Sequence, residues 1–282
     1  MIVTDKKYYM DDKLIGKLDL MVKRCSGIHK LDNWIVVDGD EGYGKSTMSF
    51  LCAYYMAEKL GREFTTKQIF FDPDKFIEYG TKTNEQVMVL DESVFGGLSG
   101  DAMTKIGKKL IKFAMVIRKK RHCIFLNIPK FFKLNEYLMV DRSIALIHVY
   151  ARGGTQLGRF VYFSNTQKEK LFWEYKRKRA RKYKTFYTLR GSFPDALKKV
   201  IDEKEYDKKK DAAILSFGAG EESRKDSKQE LFKKLFELNK EKGIKVLGKE
   251  YAKLLNVCED TITAYKKGCR DKSKFESPNI IQ

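Results

Sequence analysis

The sequence lacks the residue patterns that mark disulfide-stabilised, zinc-binding and membrane-spanning proteins. Its 282 residues include five cysteines and three isolated histidines. The cysteines form no C-x-x-C pair, which argues against a zinc site and a disulfide framework. Residues 1–17 have no apolar signal core, and no stretch approaches the roughly 18 uninterrupted apolar residues of a membrane helix. We therefore expect a cytoplasmic protein that does not interact with a membrane.

Acidic residues are scarce in the middle of the chain. The net charge of +19 divides into −3 for residues 1–100, +19 for residues 101–200 and +3 for residues 201–282. A positive field this concentrated favours a polyanionic partner. Nucleic acid fits better than an anionic membrane, because no apolar amphipathic anchor accompanies the charge.

Strand-like and helix-like segments alternate through the first part of the chain. Hydrophobic residues make up 43% of the sequence, enough to build a core, and the predicted strands are continuous apolar runs of the kind found in buried parallel sheets. Their order predicts an α/β fold with a mainly parallel, helix-flanked sheet. The predicted strands are residues 34–37, 68–71, 86–90 and 123–126, followed by a hairpin of residues 145–150 with 160–163. Asp72 and Pro73 predict the start of a short helix after the second of these strands.

The chain changes character after residue 168, where charged residues begin to dominate. We predict a first domain over residues 1–200 that ends in a basic, aromatic-rich tail. A charged linker over residues 201–228 and a small all-α domain over residues 229–282 follow it.

A glycine-rich loop lies between the first predicted strand and the next helix. Residues Gly39–Ser46 fit the pattern G-x-x-x-x-G-K-[ST], which arises by chance in a chain of this size about once in a hundred at average glycine usage. The glycines let backbone N–H groups turn toward a phosphate, and the helix adds its positive N-terminal end. The pattern predicts ATP binding, with Lys45 on the β- and γ-phosphates and Ser46 on Mg²⁺. The predicted nucleotide-binding residues are Gly39, Asp40, Glu41, Gly42, Tyr43, Gly44, Lys45, Ser46 and Thr47.

Polar residues follow two later strands. Asp91 and Glu92 come directly after an apolar strand, and this pair resembles a Walker B motif. The resemblance implies that Asp91 holds the Mg²⁺ shell and that Glu92 is the general base for water. Asn127 ends the next strand and resembles the sensor that positions water near the γ-phosphate. Alternatively, Asn127 simply starts the turn before Pro129.

With these motifs, residues 30–165 resemble the ASCE division of P-loop ATPases. The basic run at residues 118–121 is similar to the arginine-rich segment of phage genome-packaging ATPases, and the layout is similar to HerA/FtsK-like motors. In such ring motors one subunit supplies an arginine to its neighbour's γ-phosphate. The resemblance therefore implies a homo-oligomeric ring, with Arg118, Arg121 and Arg142 as candidates for that arginine.

Several signatures of other nucleotide-using proteins are missing. No acidic, nuclease-like cluster follows the first domain, which departs from the packaging enzymes. The sequence also lacks the glycine-rich signature of a protein kinase and the base-specificity motif of a small GTPase. ATP is therefore favoured over GTP.

Three segments, of which the first two are basic, are candidates for DNA contact. The first is the lysine face of a helix over residues 101–117, and the second is residues 168–190, where six aromatic and ten basic residues alternate. The aromatic residues of the second segment could equally pack on the core. The candidates in these two segments are Lys105, Lys109, Lys112, Lys176, Arg177, Arg179 and Arg181.

The third segment, residues 248–265, resembles a helix-turn-helix. Ala252 is small where two helices would cross, Asn256 suits a left-handed turn position, and the following helix would contact DNA. The alternative is a small helical bundle used for protein contact, and the acidic Glu259 and Asp260 at the start of the second helix weaken base-specific readout. The candidate DNA-binding residues here are Thr261, Thr263, Lys266 and Lys267.

Together these features favour an ATP-hydrolysing DNA motor of a virus or mobile element, used in DNA translocation or genome packaging with capsid or portal proteins. A second interpretation is a replication-initiation or transposition helper ATPase that acts with replication proteins. A third is a DNA-binding regulator that uses ATP only as a switch.

Overall fold

A computed structural model describes residues 1–26, 29–91, 100–241, 243 and 246–272. Side chains are described in these ranges except at residues 100–106, 216–228, 240–241 and 268–272. By contact, the chain divides into two compact units, Met1–Ala213 and Ile214–Gln282. Among the described residues, no helix has the length and apolarity needed to cross a membrane.

The first unit contains a seven-stranded sheet with the order β4-β5-β6-β3-β7-β8-β9. The pairs from β4 through β7 are parallel, whereas β8 pairs antiparallel with β7 and β9. A separate hairpin is formed by β1 (Ile2–Val3) and β2 (Tyr8–Tyr9). The sheet strands are β3 (Asn33–Gly39), β4 (Ile69–Phe70), β5 (Val87–Leu90), β6 (Cys123–Ile128), β7 (Ala145–Arg152), β8 (Gln156–Ser164) and β9 (Leu189–Ser192).

Helices flank this sheet, which confirms the predicted α/β class with a mostly parallel sheet. The strands β3, β5 and β6 are buried along their whole length, as expected for strands covered on both faces. The α-helices that lie wholly within the first unit are α1 (Asp12–Cys25), α2 (Lys45–Leu60), α3 (Pro73–Lys82), α4 (Gly100–Val116), α5 (Asn165–Lys178) and α6 (Leu197–Val200).

Local chemistry sets the helix ends. The carboxylate of Asp11 accepts hydrogen bonds from the backbone N–H groups of Lys13 and Leu14 at the start of α1, and Asp72 caps α3 ahead of Pro73, as the sequence predicted. Gly61 ends α2 with a left-handed φ of 62°.

A long helix, α7 (Glu203–Glu241), starts in the first unit. The first unit therefore extends past residue 200, where the sequence predicted its end, and residues 203–228 are helical where a linker was predicted. The beginning of α7 is fixed by polar contacts: the Thr66 hydroxyl donates to the Glu205 carboxylate at 2.5 Å, and Lys209 Nζ donates to the Thr66 carbonyl at 2.7 Å.

The second unit contains α8 (Gly248–Leu255) and α9 (Glu259–Lys272). Asn256 ends α8 with a left-handed φ of 51°, which confirms the turn position predicted for it. Ala252, predicted to lie where the two helices cross, is buried together with Leu255 and Ile262. Phe232 and Tyr251 complete this core with ring centroids 5.1 Å apart.

Candidate nucleotide-binding site

The loop at residues 39–44 leaves the carboxyl end of the central strand β3, and α2 begins at Lys45. Gly39 has a φ of 147°, and a Cβ at this position would lie 2.2 Å from the carbonyl oxygen of Val149 on β7. Any side chain would collide with the neighbouring strand. Position 39 therefore requires glycine for backbone conformation and for space.

The loop then turns through two more left-handed glycines, Gly42 (φ 77°) and Gly44 (φ 93°). Among the described residues no side chain caps the first amides of α2. Backbone N–H groups in such turns, together with a helix N-terminus, form a concave anion-binding surface. Of the other predicted loop residues, Asp40 and Glu41 are exposed, whereas Tyr43 and Thr47 are half-buried.

The ammonium of Lys45 lies within this loop. Its side chain is buried, and Nζ donates hydrogen bonds to the carbonyl oxygens of Gly39 at 2.9 Å and Asp40 at 3.1 Å. A cation held by carbonyl groups of the loop is positioned to meet an anion in the loop's concavity.

Asp91 lies directly after β5 and accepts hydrogen bonds from polar side chains of α2 and β6. Ser46 Oγ donates to Asp91 Oδ1 at 3.1 Å, and Asn127 Nδ2 donates to the same oxygen at 3.0 Å. Asn127 also donates to Ser49 Oγ at 2.9 Å. The structure thus brings Ser46, Asp91 and Asn127 together at the carboxyl edge of the sheet, although they are far apart in sequence.

Asn127 belongs to β6 rather than to the turn that follows it. It is fully buried, and its Oδ1 atom has no hydrogen-bond partner among the described residues. An orphaned buried acceptor is costly unless a water molecule or ligand supplies a donor. This acceptor lies on the side chain that also contacts Asp91.

Sequence reasoning missed Tyr206, which lies on α7. Its hydroxyl donates to Asp91 Oδ2 at 2.8 Å, on the carboxylate oxygen opposite to Ser46 and Asn127. The ring packs against Phe50 and Phe71, with centroids 5.3 and 5.5 Å away. Burial and the neighbouring Asp91 charge raise the Tyr206 pKa well above its usual value, so the hydroxyl stays protonated and acts as a donor.

The residues at this edge fit a magnesium-bound nucleotide. Within the described ranges, no group of three His, Cys, Asp or Glu side chains could hold a metal ion by itself. Mg²⁺ in nucleotide sites usually takes one or two protein oxygens and completes its shell with phosphates and water. Ser46 and Asp91 could provide such a pair beside the glycine-rich loop.

A second buried cluster lies behind the loop, and the sequence did not reveal it. Asp38, immediately before Gly39, accepts hydrogen bonds from the Phe131 backbone N–H at 3.0 Å and the Tyr183 hydroxyl at 2.5 Å, and pairs with His148 Nδ1 at 2.9 Å. The His148 and Tyr183 rings stack with centroids 3.7 Å apart. Burial, reinforced by the Asp38 charge, raises the pKa of Tyr183. His148, to which the sequence assigned no role, thus helps to fix the strand that carries the loop.

Glu92, the predicted general base, lies outside the described residues. Its predecessor Asp91 is described.

Arg142 is not placed to act on a nucleotide of a neighbouring subunit. Its guanidinium pairs with both carboxylate oxygens of Asp32, donates to the Ala114 carbonyl at 3.0 Å, and lies over the Trp34 ring at 5.0 Å. The side chain is only 12% exposed. This buried pairing corrects the sequence-based assignment, and Arg142 is a structural residue.

Arg118 and Arg121 lie beside the amino end of β6, whose first residue pairs with Asn33 at the start of β3. This edge of the sheet is opposite to the loop. Arg118 is exposed, and Arg121 forms a 2.8 Å ion pair with Glu85. Neither arginine is therefore near the loop at residues 39–44 of its own chain.

Of the α4 lysines that were predicted to contact DNA, Lys109 forms an ion pair within the protein. Lys109 donates to both carboxylate oxygens of Asp74 at 2.7 and 2.8 Å, although it remains exposed. Lys112 is exposed. The side chain of Lys105 lies outside the described residues.

The predicted cations of the second basic segment lie on the surface. Lys176 pairs with Glu136 at 3.3 Å, Arg177 pairs with Glu174 at 2.5 Å, and Arg179 lies over the Tyr175 ring at 6.0 Å. Arg181 is exposed.

Lys168 is an exception within this segment, because it is fully buried. Its Nζ donates to the Val140 carbonyl at 3.1 Å, to the Ser143 carbonyl, and to the Ser143 hydroxyl at 3.0 Å. Lys168 is thus unavailable to DNA.

The predicted DNA-binding residues of α9 differ in exposure: two are exposed and two are half-buried. Thr263 and Lys267 are exposed. Thr261 is half-buried beside the Cys258 thiol at 3.0 Å, and Lys266 lies over the Tyr251 ring at 5.9 Å.

A scan against protein-family models gives no match for this chain, and a search of curated proteins gives none either.

Proposed function

We propose that this protein hydrolyses ATP and uses the reaction to drive movement along DNA, as a motor of a virus or mobile element engaged in DNA translocation or genome packaging. The observation that carries the proposal is the 3.1 Å hydrogen bond between Ser46 and Asp91. This bond holds the two predicted metal ligands next to each other, beside the glycine-rich loop. At position 39 of that loop, any residue larger than glycine would collide with β7.

In this proposal the loop amides and Lys45 bind the phosphates. Lys45 exchanges its bonds to the Gly39 and Asp40 carbonyl oxygens for phosphate oxygens, and the N-terminal end of α2 adds a favourable dipole. Mg²⁺, when bound, would neutralise charge on the β- and γ-phosphates. Ser46 and Asp91 would hold it.

Glu92 takes a proton from the attacking water as general base. Asn127 orients that water, and its orphaned Oδ1 atom is an acceptor suited to this task. The Nδ2 group of the same amide remains hydrogen-bonded to Asp91 and Ser49. One residue of β6 would therefore set the position of the water and, through Asp91, that of the metal.

DNA contact is assigned to the basic surfaces of α4 and α5, in the part of the chain that carries the +19 excess. A ring of identical subunits would let Arg118 or Arg121 reach a neighbour's nucleotide, which fits their position at the sheet edge opposite to the loop. Arg142 has no part in this step.

The buried core between α8 and α9 supports a second candidate, a replication-initiation or transposition helper ATPase that binds a DNA site through the second unit. In that case, removing exposed side chains of α9 with Thr263→Ala and Lys267→Ala should abolish site-specific binding. In a motor the same substitutions should leave DNA-stimulated hydrolysis largely intact.

The test is ATP turnover with and without DNA, run with light scattering to give the assembly mass. DNA should stimulate turnover in an oligomer, and Glu92→Gln should reduce turnover at least about 100-fold, within the usual contribution of a general base. Glu78→Gln, at an exposed residue paired with Lys82, is the control. Stimulated turnover that survives Glu92→Gln would reject the motor. Little turnover combined with ATP-dependent DNA binding would support the switch interpretation instead.

A further inference from the structure

The six aromatic residues of the second basic segment differ sharply in exposure. Phe172 is buried, and four others, Tyr175, Tyr183, Phe186 and Tyr187, are half-buried. Tyr175 stacks on Phe132 at 4.0 Å between ring centroids. Most of these side chains therefore pack on the core, as the alternative interpretation held. Trp173 differs, because 53% of it is exposed.

Trp173 lines an open cavity of about 840 Å³ on the surface of α5. Phe186 lines the same cavity, together with the cations Lys170, Lys176 and Arg177. The Phe172 ring packs against the indole in a T-shaped arrangement, with 5.2 Å between the ring centroids, and helps to hold it. The cavity thus combines a large aromatic surface with positive charge.

The acidic residues of the cavity do not cancel this charge. Glu174 accepts from Arg177 at 2.5 Å and pairs with Lys178 at 3.1 Å and Lys182 at 3.2 Å. These bonds, led by Arg177, lower the pKa of Glu174 to about 2. The carboxylate is therefore ionised, but three cations surround it. Glu169 accepts from Asn165 Nδ2 at 2.6 Å. Lys176 pairs with Glu136 at 3.3 Å. The local charge is still net positive, because five cations face three carboxylates: Lys170, Lys176, Arg177, Lys178 and Lys182 against Glu136, Glu169 and Glu174.

We propose that this cavity binds an unpaired base of single-stranded DNA, with the base stacked on the Trp173 indole and the adjacent phosphates on the surrounding lysines and arginine. Every base has an aromatic face, so stacking needs no particular sequence. Bases of a duplex are paired and stacked internally and cannot reach the indole. This inference rests on the proposed function for its partner, and it adds that the strand is single.

Tryptophan fluorescence tests the inference directly. The chain has two tryptophans, and Trp34 is fully buried in the core, so quenching by a ligand reports on Trp173. Full-length protein without nucleotide is titrated with an oligothymidylate of roughly 16 nucleotides, the upper end of common site sizes, and with a duplex of equal length. The single strand should quench the emission saturably, and the duplex should leave it unchanged.

Substitutions supply the second readout, measured by anisotropy of labelled DNA. Trp173→Leu should weaken single-strand binding about 10-fold, within the range for loss of one stacked base, whereas Trp173→Phe should retain most of the affinity. Tyr9→Leu, at another exposed aromatic residue, is the matched control and should bind as the wild type does. Equal quenching by the duplex, or unchanged single-strand affinity in Trp173→Leu, would overturn the inference.

The titration is independent of hydrolysis. Quenching by the single strand in a protein that does not hydrolyse ATP would reject the motor and leave the stacking site standing. DNA-stimulated hydrolysis with no quenching would support the motor and reject the stacking site. Quenching by a single-stranded oligouridylate at much lower concentration than by the oligothymidylate would also overturn the assignment to DNA.

Discussion

Tyr206 donates a hydrogen bond to Asp91 across 115 residues of sequence, with 2.8 Å between the hydroxyl and Oδ2. The bond fixes one oxygen of the carboxylate, while Ser46 and Asn127 fix the other. Asp91 therefore has a single orientation, set by α2, β6 and α7. A carboxylate held in this way is preorganised to take part in a metal shell.

Tyr206→Phe should raise the Mg²⁺ concentration needed for ATP binding about 10-fold, because partners of a metal-binding carboxylate usually contribute 10- to 100-fold. The phenyl ring keeps its packing against Phe50 and Phe71, so folding should be retained. Binding of a fluorescent ATP analogue over a Mg²⁺ series measures this effect. Tyr54→Phe removes an exposed bond to Asp5 and should change nothing. Unchanged or tighter Mg²⁺ dependence in Tyr206→Phe would contradict this role.

Gly39→Ala should destabilise the protein by about 3 kcal/mol or more. The new Cβ would collide with the Val149 carbonyl at 2.2 Å, and a φ of 147° is itself strained for alanine by about 1–3 kcal/mol. Gly42→Ala has a similar left-handed strain, but the space around its Cβ is open to 4 Å among the described residues, so its cost should be about 1–2 kcal/mol. Urea unfolding compares the two variants, and equal losses would refute the close approach to β7.

Arg142→Met should cost about 3–5 kcal/mol of unfolding free energy, because it leaves Asp32 buried without its partner. Arg118→Met, at an exposed position, should change stability by less than about 0.5 kcal/mol. Thermal unfolding with calorimetry measures both. A stable Arg142→Met protein that has lost only ATP hydrolysis would restore Arg142 as the arginine acting between subunits.

Stability should depend on the protonation of Lys168. Burial lowers its pKa from 10.5 to about 7, while Glu169 and Asp141 oppose the shift. Between these values the unfolded lysine holds a proton that the folded lysine has released, so unfolding free energy should rise with pH by up to about 1.4 kcal/mol per unit. Below about pH 7 both states are protonated and the slope vanishes.

The difference between wild type and Lys168→Met isolates this effect, because other titrating groups cancel. Urea unfolding from pH 7 to pH 9 should show the wild type gaining stability relative to Lys168→Met. Lys170→Met, on the same helix but at the surface, should follow the wild type. Parallel curves for the wild type and Lys168→Met would mean that Lys168 stays charged in its site.

Local patterns were sufficient to predict much of the fold. Continuous apolar runs identified the buried strands, Asp72 with Pro73 identified the start of α3, and the side-chain size and turn preference of Ala252 and Asn256 identified the break between α8 and α9. Each of these inferences depends on neighbours within a few residues. The proximity of Ser46 to Asp91 was implied by the loop pattern and the Walker B resemblance, which assign these residues to one Mg²⁺ site.

The remaining features depend on long-range packing that no local pattern encodes. Tyr206 gave one signal, an isolated aromatic residue in the strongly charged run 202–211, but the partner of its hydroxyl is set by how α7 packs. Arg142 looks like any surface arginine in sequence, and only the fold shows Asp32 opposite to it. Lys168 and Trp173 lie in one basic segment, yet helix α5 buries the first and exposes the second.

The central claim is that the loop at residues 39–46 is the site of DNA-stimulated ATP hydrolysis. Steady-state phosphate release in the presence of Mg²⁺ and DNA tests it most directly, comparing wild type with Lys45→Ala and with Lys59→Ala, which changes another lysine of α2 that lies over the Tyr55 ring. We predict that release by Lys45→Ala falls at least about 100-fold, as for loss of a transition-state charge contact, while Lys59→Ala matches the wild type. Phosphate release by Lys45→Ala at the wild-type rate would contradict the account.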